Sequence, residues 1–279
     1  MTFREAYAFG ENELHMAGID DAGVDAWYLL EYVTGINRTM YFMKMMDKMN
    51  LEEEEKYLEY IEIRKKHIPL QHITGVQEFM GFEFMVNEHV LVPRQDTEVL
   101  VETVLKDMKP GADILDMCVG SGCILLSLVK LGENVHGTGV DISEEALKVA
   151  TKNREKLEVK VNLIHSDLFQ NVEGKYDLIV SNPPYIRTAV IEELKEEVKF
   201  HDPYIALDGK EDGLYFYRKI VDESRRYLKQ GGKLYFEIGH DQGEDVKSLM
   251  EEAGFSGVYV KKDLAGLDRV VFGEYTIIG

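Results

Sequence analysis

The sequence predicts an α/β fold in which a mostly parallel sheet, covered by helices on both faces, follows a small helical domain and a β-hairpin linker. Three observations predict it. Up to about Ile68 the punctuating residues are those that start and stop helices. From Gly75 to Pro93 short alternating apolar runs take over. Beyond Asp113 apolar strand-like runs alternate with helical stretches, as strands joined by crossover helices do. The expected division is a helical domain over 1–74, a hairpin linker over 75–93 and an α/β domain over 94–279.

Within the first part, Asp20 and Asp21 can cap a helix carrying Ala26, Trp27, Leu29, Leu30 and Val33, with Gly35 where it would stop. Asn50 and Glu53 form a capping-box pattern, Glu52 to Glu55 sit at the positive end of the dipole and Lys65 and Lys66 at the negative end, and Pro69 closes the helix. The acidic run therefore reads as a solvated first turn. Met40, Met43, Met45, Met46 and Met49 are expected to pack inside the bundle, the alternative being an adaptable partner surface. The hairpin is expected to pair 82–86 with 90–92 across Asn87-Glu88-His89. Sheet strands are expected over 113–117, 135–140, 161–165, 176–181 and 233–238, with helices over 144–156 and 214–228. The last two runs, 257–260 and 269–274, have no helix between them, so at least one antiparallel strand should close the edge.

Composition bounds the function. With 279 residues the chain is long enough for about two average domains. At 45% apolar and 30% charged residues it is too hydrophobic for general disorder. Thirty-two Lys and Arg against 51 Asp and Glu give a formal charge of −19, which opposes long-range attraction to phosphate backbones or anionic membranes. Cys118 and Cys123, the two cysteines, exclude a disulfide framework and fit a reducing compartment. The start lacks the blocks of a signal peptide, and no apolar run approaches the ~18 residues of a membrane span. A cytoplasmic location is expected. The eight histidines show no metal-ligand spacing, so no metal is expected.

In an open α/β sheet, ligands bind beyond the carboxyl ends of the strands. After the first sheet strand comes Cys118-Val119-Gly120-Ser121-Gly122, where the two glycines permit a tight bend and the close approach of a ligand. Leu125 stands where a dinucleotide fingerprint needs Gly or Ala, which disfavours hydride transfer, and no Gly-Lys-Ser or Gly-Lys-Thr follows to make a P-loop. Asp141, ending the second strand, can accept both hydroxyls of a ribose; the alternative is an N-cap for a helix starting at Ser143 or Glu144. Asp167, followed by Leu168 and Phe169, can accept from an adenine amine while an apolar neighbour covers the ring. Together these positions suggest an adenosine ligand without a pyrophosphate cradle.

The most specific feature is Asn182-Pro183-Pro184-Tyr185, directly after the strand over 176–181. Proline bars Asn182 from helical geometry, and the two prolines fix φ and remove two N–H donors. The turn becomes a stiff display of acceptors. The Asn182 side-chain oxygen and the Pro183 carbonyl can each receive one hydrogen of a planar NH₂ group, with Tyr185 against its flat face. Such a site suits a carboxamide or the exocyclic amine of a base; the plainer alternative is a strand-ending turn.

These residues resemble the amino-methylating class of S-adenosylmethionine-dependent methyltransferases. The likeness runs over nearly the whole chain: Pro69-Leu70-Gln71-His72-Ile73-Thr74-Gly75, Val92-Pro93-Arg94-Gln95-Asp96-Thr97-Glu98, Asp167-Leu168-Phe169, Glu237-Ile238-Gly239 and Lys262-Asp263-Leu264-Ala265-Gly266 are similar to the HemK/PrmC family. The resemblance implies a class I, Rossmann-like methyltransferase sheet with a helical N-terminal substrate domain. It also implies methylation of the glutamine amide nitrogen in the Gly-Gly-Gln motif of peptide chain release factors, which modulates translation termination. S-adenosylmethionine would be the cofactor and S-adenosylhomocysteine the product. Cys118, Val119, Gly120, Ser121, Gly122, Asp141, Asp167, Leu168, Phe169 and Asn182 would hold the cofactor. Asn182, Pro183, Pro184 and Tyr185 would hold the substrate, with Asn182, Pro183 and Tyr185 catalytic. Arg94 and Glu98 would order a lid over the methionine part, or form a plain interdomain salt bridge.

Two departures stand out. The family's usual loop is Gly-Thr-Gly-Ser-Gly, whose first two residues are here Cys118 and Val119, and Gln95 replaces a proline. No histidine lies near Cys118 in sequence, so it reads as packing rather than as a nucleophile. The release factor is the expected partner, the chain acting as a monomer without direct nucleic-acid or membrane contact. Two rival functions stay open: a DNA adenine amino-methylase, against which the charge and the small helical extension weigh, and a non-catalytic adenosine-binding scaffold, in which Asn182 and Tyr185 would be needless.

Overall fold

A computed structural model describes residues 1–276, so the last three residues of the expected 94–279 domain lie outside the described residues. Contacts divide the chain into two units: Met1–Val76 with Lys195–His201, and Gln77–Leu194 with Asp202–Gly279. None of the helices among the described residues is long and apolar enough to cross a membrane.

The first unit contains α1 (Phe3–Met16), α2 (Ala22–Thr34), α3 (Arg38–Lys44), α4 (Leu51–Arg64) and α5 (Leu70–Thr74). Capping boxes open α1 at Thr2 and Glu5 and α4 at Asn50 and Glu53, each satisfying two otherwise orphaned N–H groups. Asp21 occupies the N-cap of α2 without a side-chain capping bond, and Gly35 ends that helix with φ of 66°. Leu14, Ala26, Trp27, Leu30, Tyr57 and Ile61 form the core, inside which the Tyr57 hydroxyl donates to the Ala26 carbonyl. Arg64, 4% exposed, donates through Nε to Asp25 Oδ2 at 2.7 Å and through a terminal nitrogen to Glu197. Lys195 pairs with Asp20. The methionine expectation is corrected in part. Met49 is buried, but Met40, Met43 and Met46 are exposed, because α3 is seven residues long and buries Tyr41 as its one inward residue.

At the start of the second unit a hairpin pairs β1 (Val76–Phe79) with β2 (Phe82–Met85). This corrects the expected register: 82–86 supplies the second strand, and 90–92 forms none. The connecting Met80 and Gly81 both have positive φ, 52° and 75°, the geometry that suits a two-residue hairpin turn. Val86 and Val90 bury against Ala146 and Val149 instead of each other's strands. There follow α6 (Glu98–Asp107), β3 (Asp113–Met117), α7 (Cys123–Leu131), β4 (His136–Asp141), α8 (Glu144–Lys156), β5 (Val161–His165) and β6 (Tyr176–Ser181). The chain then runs through the short α9 (Thr188–Ile191), α10 (Glu196–His201) and α11 (Tyr204–Leu207), to α12 (Tyr215–Ser224), β7 (Leu228–Glu237), α13 (Gly243–Glu252), β8 (Phe255–Lys262) and β9 (Asp268–Tyr275). α12 is shorter, and β7 longer, than the sequence pattern indicates. Tyr176 N–H donates to the Tyr227 carbonyl and Leu228 already pairs with Tyr176, which draws this stretch into the sheet.

The seven strands lie in the order β5-β4-β3-β6-β7-β9-β8. Pairing is parallel from β5 to β7 and antiparallel at β9, which sits between β7 and β8. Alternation along the strands feeds two apolar layers. Leu115, Ile179 and Phe236 face Tyr217, Ile220 and Val246, while Ile114, Val180 and Tyr235 face Leu100, Val104 and Leu125. Chain direction across the sheet reverses between β3 and β6, the switch point at which α/β sheets open a crevice.

Candidate active site

Three positive φ values, 65° at Cys118, 53° at Gly120 and 83° at Gly122, turn the chain from β3 into α7. Asn153 of α8 is fully buried and pins this loop: its Nδ2 donates to the Ser121 and Met85 carbonyls at 2.9 Å each, and its Oδ1 accepts from Met85 N. The sequence pattern does not mark Asn153, because its partners are distant along the chain. Beneath the loop, Asp116 is fully buried. Its Oδ2 accepts from Leu125 N and its Oδ1 has no partner among the described residues. Burial pushes its carboxyl well above the usual range.

Asp141 faces the same crevice. Its Oδ2 accepts from Gly120 N and its Oδ1 from Ser143 N, both at 2.9 Å, and burial raises its pKa against the pull of these bonds. The capping alternative fails, because Ser143 caps α8 with its own hydroxyl on Ala146 N. Each Asp141 oxygen keeps a further acceptor position. Asp167 is exposed at the end of the β5 connection, accepting from Gln170 Nε2 at 3.2 Å, and Leu168 beside it lines the crevice. Phe169 points elsewhere, stacking on Tyr227 with ring centroids 4.7 Å apart, so it supports the strand end and does not cover a ligand. Phe216 and Tyr215 of α12 line the crevice instead.

On the other side of the switch point, Ser181 Oγ donates to the Met117 carbonyl at 2.6 Å and ties the ends of β6 and β3 together. Asn182 and Pro184 then line the crevice. Pro183 is buried, and Tyr185 packs against the apolar layer, where burial and the nearby Glu237 push its hydroxyl up to about 12. Pairing of Ser181 with Phe236 sets Glu237 beside Asn182. Glu237 is 2% exposed, its Oε2 lacks a partner among the described residues, and burial raises its pKa although the Thr97 hydroxyl, Arg269 and Arg94 oppose the rise.

Arg94 and Thr97 also line the crevice, with Arg94 3.6 Å from Asp202 of the same unit. Glu98 is placed differently from its expected role: Oε1 accepts from Met80 N at 2.6 Å, fixing the hairpin turn outside the crevice. Gly122, likewise, shapes the loop without lining the space. The cavity measures about 330 Å³, within the range of small-molecule sites. Cys118 and Cys123 line it too. Burial pushes both thiols up, Cys123 to about 12, so neither supplies a thiolate at neutral pH. Carboxylates at Asp141 and Asp167, apolar walls at Ile142 and Leu168, and acceptors at Asn182 together fit an adenosine whose tail carries positive charge.

Comparison with known proteins agrees with this geometry. Residues 5–75 match the PrmC N-terminal domain and residues 94–198 the methyltransferase small domain. The release factor glutamine methyltransferase of Geobacter sulfurreducens is 39% identical over 274 residues, covering 98% of this chain and 96% of its own length. That of Clostridium acetobutylicum is 41% identical over 256 residues, covering 88% and 89%. Among solved structures, a methyltransferase from Pyrococcus furiosus shares the fold with a TM-score of 0.54 at 19% identity, covering 71% of this chain and 91% of its own. With relatives this similar over nearly its full length, the chain belongs to the release factor glutamine methyltransferase family.

Proposed function

We propose that the crevice binds S-adenosylmethionine and that the Asn182–Tyr185 turn presents to it the glutamine of a release factor's Gly-Gly-Gln motif. The observation that carries this reading is the acceptor turn standing at the switch point, in the wall of the cavity that Asp141 and Asp167 line from the other side. When bound, S-adenosylmethionine supplies a methyl group on a positively charged sulfur. Asp141 would accept the ribose hydroxyls and Asp167 the adenine amine, while backbone N–H groups of the 118–122 loop contact the tail.

The chain's own contribution is to make a poor nucleophile competent. An amide nitrogen shares its lone pair with the carbonyl. Asn182 Oδ1 and the Pro183 carbonyl, accepting its two hydrogens, push electron density back onto nitrogen and hold it in one direction. Two prolines keep those acceptors from relaxing, so the acceleration comes from positioning and preorganised dipoles. The proton released on methylation passes to water or to the same acceptors. The formal charge of −19 supports a protein substrate over a nucleic acid.

Incubation of the protein with S-adenosylmethionine and a recombinant release factor should add one methyl to the Gly-Gly-Gln peptide, read by intact mass and fragment sequencing. Asn182→Ala should lower kcat by about 100-fold or more while cofactor affinity changes little. Methylation of adenine-rich DNA with the release factor unmodified would overturn the proposal, as would near-normal turnover by the variant.

A further inference from the structure

Prolines at 183 and 184 leave the acceptor turn without two of its N–H groups, so its carbonyls are the polar handles by which the fold can grip it. One of these, the Tyr185 carbonyl, is gripped by a buried carboxamide. Gln242, at the start of α13, is 2% exposed. Its Nε2 donates to Tyr185 O at 3.0 Å and to Gly213 O at 3.3 Å, and its Oε1 accepts from Gly239 N at 2.9 Å. Three segments meet at this one amide: the turn after β6, the loop after β7 and the loop before α12.

The surroundings of the same peptide are equally tight. A Cβ on Gly213, whose φ is 76°, would stand 2.4 Å from Tyr185 O, and one on Gly209 would stand 2.7 Å from Tyr185 Cα and C. Only glycine fits where the chain approaches this closely. Gly209 N then donates to the Ile186 carbonyl, and Ile186 N to the Leu207 carbonyl. Tyr185 is thus gripped by an amide and packed against two bare Cα atoms, with little slack for the turn to swing.

We propose that Gln242 is a positioning residue for methyl transfer, its carboxamide fixing the Tyr185 carbonyl and so setting the direction in which Asn182 and Pro183 aim the substrate amide. This deepens the functional reading above and rests on it. Residue type follows from the task. Two donors and one acceptor are needed at an enclosed position, so glutamate would set a carboxylate against two carbonyls, and asparagine is one methylene too short. Gln242 does not line the cavity, and none of its three bonds goes to the 118–122 loop, Asp141 or Asp167, so its effect belongs to the aim of the reaction.

The test compares the full-length protein with Gln242→Met, which keeps the length and removes the donors, and with Gly213→Ala, whose Cβ would press on the same carbonyl and on Gln242 Nε2 at their bond. Methyl transfer to a recombinant release factor should fall about 10- to 100-fold in kcat for each, while the Kd for S-adenosylmethionine by calorimetry and the KM for the release factor stay within about threefold of the unaltered protein. Turnover within twofold of normal in both variants overturns the proposal. So does a loss in which cofactor affinity and melting temperature fall together with kcat, which marks a strut of α13 alone. If Gln242→Met does not fold, Gly213→Ala decides the matter. Absence of transfer by the unaltered protein would instead overturn the functional reading itself.

Discussion

Asp116 shows what a single enclosed carboxyl does to the stability of the sheet. It has one bond, from Leu125 N, and its folded pKa lies well above the ordinary value. The unfolded chain gives up this proton near pH 4, so the group's favourable contribution is complete below that pH and declines as pH rises toward the folded pKa, by up to about 1.4 kcal/mol per pH unit. Asp116→Asn keeps the acceptor for Leu125 N and removes the titration. Its stability relative to the parent, measured in urea, should therefore improve as pH rises above about 4; a constant offset would show that Asp116 is not the titrating group. Two residues later, Cys118 holds a φ of 65°, a conformation that costs a residue with a Cβ roughly 1 kcal/mol or more. The family's glycine at this position has a plain physical reason, and the chain here retains the bend without it.

At the scale of the element, Asn50 caps α4 by accepting from Glu53 N at 2.8 Å, and Asn50→Ala should cost about 1 kcal/mol in thermal or chemical unfolding. A loss below a few tenths would show the cap to be idle. That capping box is legible because both partners lie within one turn, and β3, β5, β6 and α8 are legible for a similar reason: the apolar pattern of each is local to its own stretch of chain. What stayed hidden depends on distant partners. Asn153 earns no sequence signal because Met85 and Ser121 complete it, and Gln242 is silent until Tyr185 and Gly213 are beside it. The hairpin was misplaced because Asn87-Glu88-His89 resembles a turn, whereas Met80-Gly81 supplies the needed left-handed pair. Phe169 sits in a recognisable motif, yet periodicity does not say that its ring turns to Tyr227. Of the expected site, Cys118 to Ser121, Asp141, Asp167, Leu168, Asn182 and Pro184 do converge on one cavity, while Pro183 and Tyr185 do not line it and Glu98 is assigned elsewhere by its bond to Met80.

Across the whole molecule, a formal charge of −19 means that like charges repel in the compact state more than in the expanded one. Raising sodium chloride from about 20 to 200 mM shortens the screening length from roughly 20 to 7 Å and should stabilise the protein by about 1 kcal/mol; a lower melting temperature in salt would show that attractive pairs outweigh the repulsion. The first unit is assembled from two stretches of chain, Met1–Val76 and Lys195–His201, the second bringing Glu197 to the enclosed Arg64 guanidinium. A chimera built by cutting the gene at codon 76 would therefore take Glu197 away from Arg64 and leave the guanidinium to Asp25 and the Ile68 carbonyl. Anyone transplanting the N-terminal module between relatives should exchange the short internal insert along with it, because residues 25, 64 and 197 form one charged cluster drawn from both stretches.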